Sequence, residues 1–511
     1  MEQAGPQLLR HWIDRAAARD PGKAFIVAAD DGRTLTYGGL RELTGRIATY
    51  LRDKGVGAND RVALLSNNSI EHLAVYFGVL AYGATVCTVH VEMNRNQLDN
   101  ILPLIKPRMV LCEDGLGLDD VLKAVSVPCL PLGACDDRRG DSFFAAVNAC
   151  EPSDAGADAA PDDSAVILFT SGTSARPKGV VLSYRELLSN AGPTADGFGL
   201  TERDRIYDFR SFNWCSAQTL SAVPPLCRGA TLILGRKFSR SRFFDHIRQY
   251  GATIATGNPT TIGLLLNGDT AASPELPTLR FVTSSSAPLV ADEWRRFEER
   301  FGIRVSQGYG CSEIGWIAAQ PGEQRRIGTV GRPHPYHRLS IVGTEGQMPK
   351  PGEMGAVELG GLRDNAYRTL ADDGSLRVDC RDRMKTGDLG FLDDEGYLHL
   401  TGRAKDLIIR GGVNISPLEI DGVLMQRDDV IEACTLGVPD KVYGVEVVAY
   451  VVLRPGSVVA AADILRHCAA ALPAFKTPKQ IVLSDELPKT ERGKLDRKAL
   501  VERWNRGTTP T

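Results

Sequence analysis

The sequence predicts an α/β protein: a large N-terminal domain of parallel-rich sheets with flanking helices, followed by a small C-terminal α+β domain. Three observations carry this. Short apolar runs alternate with helically spaced segments between residues 7 and 112. Strands and helices alternate again between residues 230 and 288. Near residue 405 the pattern changes to short strands and helices in a unit of small-domain size. A chain of 511 residues is long enough for two or more domains.

The elements follow in order. Leu8, Leu9, Trp12, Ile13 and Ala16 recur at helical spacing and stop before Pro21. The runs 24–28 and 34–37 read as a hairpin around the turn Asp30-Asp-Gly32. A helix over 40–51 ends at Lys54-Gly55, and 61–65 is a strand. Ser69 opens a helix with Ile70, Leu73, Ala74, Phe77, Leu80 and Ala81 on one face. Strand 84–89, helix 96–105 and strand 109–112 complete the first alternation. Residues 151–164 are rich in Pro, Ala and Asp without periodicity, and read as a self-repelling solvated connection. Later come strand 230–234, helix 242–250, strand 253–256, helix 259–266 and a strand from 280 into a small-residue turn. The turn Asp393-Asp-Glu-Gly396 joins a further hairpin. In the small unit, strands 431–437, 446–453 and 480–483 alternate with helices 417–425 and 461–471.

Bulk properties exclude several classes. A net charge of −3 argues against a general nucleic-acid or anionic-membrane binder. The 11 cysteines are scattered without a C-x-x-C pair, and Met1 to Arg19 is mixed polar rather than a secretory leader. No apolar run reaches 18 residues, so membrane insertion is not expected. These features favour a reduced, cytoplasmic protein.

One stretch carries chemistry directly. Thr170-Ser-Gly-Thr-Ser-Ala-Arg-Pro-Lys-Gly179 is a polar loop between an apolar strand and a helix capped by Ser183 and Glu186. Its glycines let backbone N–H groups approach an anion, its hydroxyls add donors, and Lys178 adds charge. A Walker A loop is excluded, because Pro177 stands where that pattern needs glycine. A Ser/Gly-rich surface loop shares this composition. The full string with its Pro-Lys-Gly ending, however, closely resembles the phosphate loop of the adenylate-forming superfamily, which includes acyl-CoA synthetases, peptide-synthetase adenylation domains and luciferases. Ala175 departs from the usual glycine.

Four more stretches share the resemblance. In Gly308-Tyr-Gly-Cys-Ser-Glu313, it implies that Tyr309 stacks on adenine, Ser312 donates to the α-phosphate and Glu313 holds Mg²⁺. In Lys385-Thr-Gly-Asp-Leu389, it gives Asp388 the ribose hydroxyls. In the stretch from Gly402 to Pro417, Arg403 also contacts ribose and Lys405 is the hinge. Gly411 and Gly412 there line the pantetheine channel. In Leu487 to Arg497, it implies that Lys494 is the catalytic lysine on a mobile loop that includes Arg497.

The resemblance therefore implies an ATP site made of Thr170, Ser171, Gly172, Thr173, Ser174, Lys178, Ser286, Ala287, Pro288, Gly308, Tyr309, Ser312, Asp388, Arg403 and Lys494. Glu313, Lys178 and Lys494 carry the chemistry, and Glu313 is the metal ligand. The domains are 1–404, the AMP-binding part, and 405–511, a mobile part carrying the lysine.

The expected activity is AMP-forming carboxylate–CoA ligation, with ATP, Mg²⁺, coenzyme A and a carboxylic acid as reactants. Loading of a carrier-protein thiol and a non-catalytic nucleotide-binding relative are the alternatives. Phe212, Asn213 and Trp214 are the candidate acyl pocket, with Asn213 where the family usually has histidine. Arg210 reads as an exposed arginine rather than an anion hook, and His334 and His337 as loop residues rather than metal ligands.

Overall fold

The computed structural model describes residues 5–118, 120, 127–138, 140–170, 178–268, 274–343, 346–360, 367–380, 382–489 and 495–507. Ser171 to Pro177, Lys494 and Thr508 to Thr511 lie outside the described residues.

Two large sheets form the first domain. One runs in the order Val305–Gln307, Phe281–Ser284, Ile254–Ala255, Arg205–Asp208, Thr231–Leu234, Ala24–Ala28, Thr34–Thr36. All its pairings are parallel except the hairpin at the Thr34–Thr36 edge. The other places Cys129–Pro131, Met109–Cys112, Arg61–Leu65, Thr85–Val89 and Ser164–Thr170 in parallel. Lys178–Ser183, Tyr367–Leu370 and Leu376–Cys380 then extend it antiparallel. Strands such as Thr85–Val89 are buried throughout, as parallel strands covered on both faces must be.

The helix Ile70–Tyr82 explains how the sheets stay together. Every residue of it is buried, and it packs against strands of both sheets. Its apolar side chains join Ile26 and Leu232 of one sheet to Val62, Val86 and Leu168 of the other in one core. Ser69 caps it by accepting from the His72 N–H, and Gly83 ends it in the left-handed region. The outer face of the first sheet is covered by Phe243–Tyr250, Pro259–Leu266 and Ala291–Phe301, which bury Phe243, Leu265, Trp294 and Phe297.

The small domain has a three-stranded sheet, Val430–Asp440, Gly444–Leu453 and Gln480–Leu483. Ile420, Leu424, Ile464 and Cys468 fill one side, and Tyr450, Leu436 and Leu500 the other. Its last helix, Arg497–Asn505, was not expected from the sequence. It carries as many charged residues as apolar ones, and Leu500 is its one buried side chain. Arg497 also corrects the sequence reading. It is not part of a loose loop but is the partly buried half of an ion pair with the buried Asp421.

Among the described residues no helix is long and apolar enough to cross a membrane, and no described cysteine forms a disulfide. His334 and His337 lie in a loop, but both are buried. His337 Nε2 lies 3.1 Å from the Trp316 carbonyl, and burial pushes both imidazoles down to about 4.

Candidate active site

Among the described candidates, Phe212 to Trp214, Ser286 to Pro288 and Gly308-Tyr309 follow the carboxyl ends of parallel strands, where open α/β sheets bind their ligands. Strand Arg205–Asp208 leads into 209–214, Phe281–Ser284 into 285–288, Val305–Gln307 into Gly308-Tyr309, and Ser164–Thr170 into 171–177. Asn68, just past strand Arg61–Leu65, ties the two sheets' ends together. Its Nδ2 donates to the carbonyls of Arg210 (2.8 Å) and Gly235 (3.0 Å), and its Oδ1 accepts from the Phe212 N–H (2.9 Å).

The turn after Ser284 is held from both sides. Gly308 N–H donates to the Ser284 carbonyl at 3.0 Å, and Gln307 Nε2 to the Ala287 carbonyl at 3.2 Å. Ser286 sits at φ 72°, in the left-handed region. Its side chain is exposed, so packing does not compensate the strain. Ser286→Val is therefore expected to lower stability by about 1–2 kcal/mol, whereas Ser286→Gly stays within about 0.5 kcal/mol of the parent. Thermal melting of the two variants checks this; equal melting temperatures would contradict the strain.

Gly308 and Gly310 are dictated by space. A Cβ on Gly308 would lie 2.6 Å from the Phe198 ring, and one on Gly310 would lie 2.5 Å from the Gly315 carbonyl. Tyr309 follows on strand Tyr309–Cys311, and its hydroxyl donates to Asp388 Oδ2 at 2.5 Å. Burial first, then the Asp388 carboxylate, push the Tyr309 phenol up, so it stays a donor. Arg403 Nε lies 3.1 Å from the other Asp388 oxygen, from the register-paired position on strand Leu398–Arg403. Thr386 Oγ1 accepts from the Asp388 N–H. The carboxylate has about four lone-pair sites, so two acceptor positions stay open for a diol.

Glu313 lies beside the Cys215 and Cys311 thiols. Burial first, and then this carboxylate, push Cys311 well above the usual thiol range; burial leads and Glu313 adds to the lift of Cys215 to about 12. Among the described residues the Glu313 carboxylate has no hydrogen bond or ion pair. A lone carboxylate of this kind fits Mg²⁺, which is commonly held by one or two carboxylates together with substrate phosphates.

Lys178 opens strand Lys178–Ser183, hairpin-paired with Ser164–Thr170, so Thr170 and Lys178 face each other across the base of 171–177. The Lys178 ammonium donates to the Tyr367 hydroxyl and lies 4.6 Å from that ring's centre. Phe212 is a core residue, packed with Leu168 and Ala217. Trp214 is half-buried and stacks on His90 at 4.7 Å. Arg210 is not exposed: its side chain is 8% accessible and grips Asp208 at 2.6 Å, and Nη1 reaches Ser285 Oγ at 3.3 Å. A carboxylate two residues away on the buried strand consumed the charge, which the sequence reading did not weigh.

The structure thus joins Tyr309, Asp388 and Arg403 directly, and sets Glu313 against the 209–217 segment. It does not join Gly411 and Gly412 to them. These two form the exposed turn of the hairpin Ile408–Arg410/Val413–Ile415, both at positive φ, with Gly411 N–H donating to the Tyr443 carbonyl at 3.1 Å. Lys405 is exposed in the turn Ala404–Asp406 that precedes this hairpin. Asn68, Gln307, Thr386 and Tyr367 were missed in sequence. Asn68 alone carried a signal, a polar run at the carboxyl end of a buried strand.

This arrangement defines an adenylate-forming enzyme fold, and comparison with known proteins agrees. Residues 13–362 match the AMP-binding enzyme family, and residues 419–494 match the AMP-binding enzyme C-terminal domain. The chain belongs to this family and is an enzyme of the acyl-CoA ligase type. It is 33% identical to a sulfoacetate–CoA ligase of Cupriavidus necator over 494 residues, covering 95% of this chain and 96% of the relative. It is 34% identical to an indoleacetate–CoA ligase of Aromatoleum aromaticum over 507 residues, covering 95% and 96%. The ATP-bound crystal structure of MatB from Rhodopseudomonas palustris superposes with a TM-score of 0.86 at 28% identity, covering 97% of this chain and 99% of that one.

Proposed function

We propose that this chain activates a carboxylic acid with ATP and passes the acyl group to coenzyme A. The observation that carries this reading is the Tyr309–Asp388–Arg403 cluster with its two open acceptor positions, together with a Glu313 carboxylate that pairs with none of the described residues. It suits the ribose and phosphate ends of one nucleotide. Relatives named as CoA ligases support coenzyme A as the acceptor.

In the first half-reaction the substrate carboxylate oxygen attacks the α-phosphorus and pyrophosphate leaves with the electron pair of the broken P–O bond. Residues 285–288 and Tyr309 hold the base, Asp388 and Arg403 the ribose, and Ser312 the α-phosphate. Thr170 to Ser174 and Lys178 hold the leaving phosphates, and Lys494 spreads the developing charge. Glu313 holds Mg²⁺, which neutralises phosphate charge when bound. In the second half-reaction a thiol attacks the acyl carbonyl and AMP leaves. We assign the domain boundary to 404/405, with Lys405 as the hinge about which the small domain turns so that Gly411 and Gly412 replace Lys494.

Acid-dependent pyrophosphate release from Mg-ATP, over aliphatic, aromatic and dicarboxylic acids with and without coenzyme A, tests the reading. Turnover that needs both acid and coenzyme A is expected. Adenylate that coenzyme A cannot discharge would move the acceptor to a carrier-protein thiol. Binding of ATP with no release across the panel would sink the ligase assignment.

A further inference from the structure

The helix Ala291–Phe301 of the large domain lies against the small one. Val290, its N-cap residue, packs on the small domain's core. A turn later, Glu293 feels the charge of Glu432 on strand Val430–Asp440. Burial pushes Glu293 up to about 7, with Arg296 drawing it down and Glu432 raising it. Towards the far end of the same helix, Arg296 and Arg300 share a cavity of about 390 Å³ with Arg454, which follows strand Gly444–Leu453 of the small domain. Leu266 and Glu299 complete its wall.

Cation therefore faces cation across the domain boundary, and the ordinary counter-charges are not in place. Arg454 Nε donates to the Asp428 carbonyl at 3.0 Å, while the neighbouring Asp429 carboxylate is taken by Arg427 at 2.7 Å. Arg300 donates to the carbonyls of Leu266 and Gly268, which fixes its position. Among the described residues neither Arg296 nor Arg454 forms an ion pair. Glu299, the one acid in the wall, is exposed. Like charges set against each other cost free energy unless an opposite charge lies between them. Guanidinium forks match phosphate oxygens two at a time. The cavity also falls within the size range of small-ligand pockets, roughly 300–1,000 Å³.

We propose that Arg296, Arg300 and Arg454 bind a small phosphate-bearing anion that bridges the two domains and holds them in this arrangement. Arg300 lies about 14 Å along the helix axis from Ala291, at the end away from turn 285–288, so the site is separate from the residues assigned to ATP. When the anion leaves, the arginines' mutual repulsion favours parting of the domains.

Inorganic phosphate is the probe, titrated into the whole chain without Mg-ATP at an ionic strength matched with chloride, and read by phosphorus-31 line broadening. Arg296→Gln alters the large domain's side of the cavity and Arg454→Gln the small domain's. Both side chains are partly exposed and unpaired, so both variants should fold. Each is expected to weaken phosphate binding by about tenfold or more, the usual effect of losing a charge-assisted bond. Lys178→Gln, at the phosphate loop, should leave this binding unchanged. Affinity that is unaltered in both arginine variants and falls in Lys178→Gln would overturn the proposal. Loss in one arginine variant alone would overturn the bridge, and no phosphate binding by the parent would overturn the site. None of these outcomes bears on the ligase assignment, which pyrophosphate release tests separately.

Discussion

Replacing Lys494 by alanine is expected to slow acyl-adenylate formation by about 10²–10³-fold while leaving thioester formation from a pre-made adenylate within about threefold of the parent. The lysine is assigned to charge that develops only while pyrophosphate departs. Thioester formation breaks a different bond: the thiol gives up its proton and attacks the acyl carbonyl, and the acyl C–O bond of the anhydride breaks with its electron pair leaving on AMP. The surroundings make the substitution clean. Lys489 and Leu495 form an antiparallel bridge, so both ends of segment 490–494 are pinned. Lys489 also pairs with Glu432, and Asp496 caps the last helix by accepting from the Ala499 N–H. Pyrophosphate exchange and single-turnover thioester formation measure the two halves separately, and an equal loss in both would end the division of labour.

Arg497→Ala is expected to destabilise the small domain by up to about 3–5 kcal/mol, because it leaves the buried Asp421 carboxylate without its cation. Asp421 Oδ2 takes the guanidinium, and Oδ1 accepts from the Thr435 N–H at 2.6 Å. Burial pushes Asp421 up to about 6 even with Arg497 beside it, so the pair is ionised at neutral pH. A carboxyl raised on folding holds a proton that the unfolded chain has released, so its penalty grows as pH rises towards and past the folded value. Without Arg497 the folded value rises further. The variant's deficit should therefore be larger at pH 7.5 than at pH 5. Hydrogen exchange across the strands Val430–Asp440 and Gly444–Leu453 reads it at both pH values. The double variant Asp421→Leu/Arg497→Met should recover most of the loss, since two apolar groups replace the pair. A deficit independent of pH would show that the pair is not the cause.

How much the sequence revealed depended on how local each signal was. The helix Ile70–Tyr82 and its Ser69 cap, the capping box at Ser183 and Glu186, and the helices Pro259–Leu266 and Ala461–Ala471 were all legible, because periodicity and caps act over a few residues. The antiparallel strand Tyr367–Leu370 was not. It pairs with Lys178–Ser183 from nearly 190 positions away, and nothing in its own four residues names that partner. The same holds in the site. Tyr309, Asp388 and Arg403 were named through ordered motifs, yet the bond from Tyr309 to Asp388 spans 79 positions. Arg210 shows the opposite failure. Its partner is two residues away, but only burial of strand Arg205–Asp208 makes that pair compulsory.

Asn68 grips its neighbours through their peptide groups alone: the carbonyls of Arg210 and Gly235 and the amide of Phe212. A clamp of that kind is indifferent to which side chains it holds. The path of residues 210–214 is therefore set without reference to the side chains that the proposed assignment turns towards the acid. Gly308 and Gly310, by contrast, are packed so closely that no other residue fits without moving backbone or rings. In the proposed assignment the fold separates a tightly packed half, facing the nucleotide, from a segment facing the acid whose path is held by its backbone. An engineer wishing to redirect this enzyme would randomise that segment and leave its asparagine latch in place.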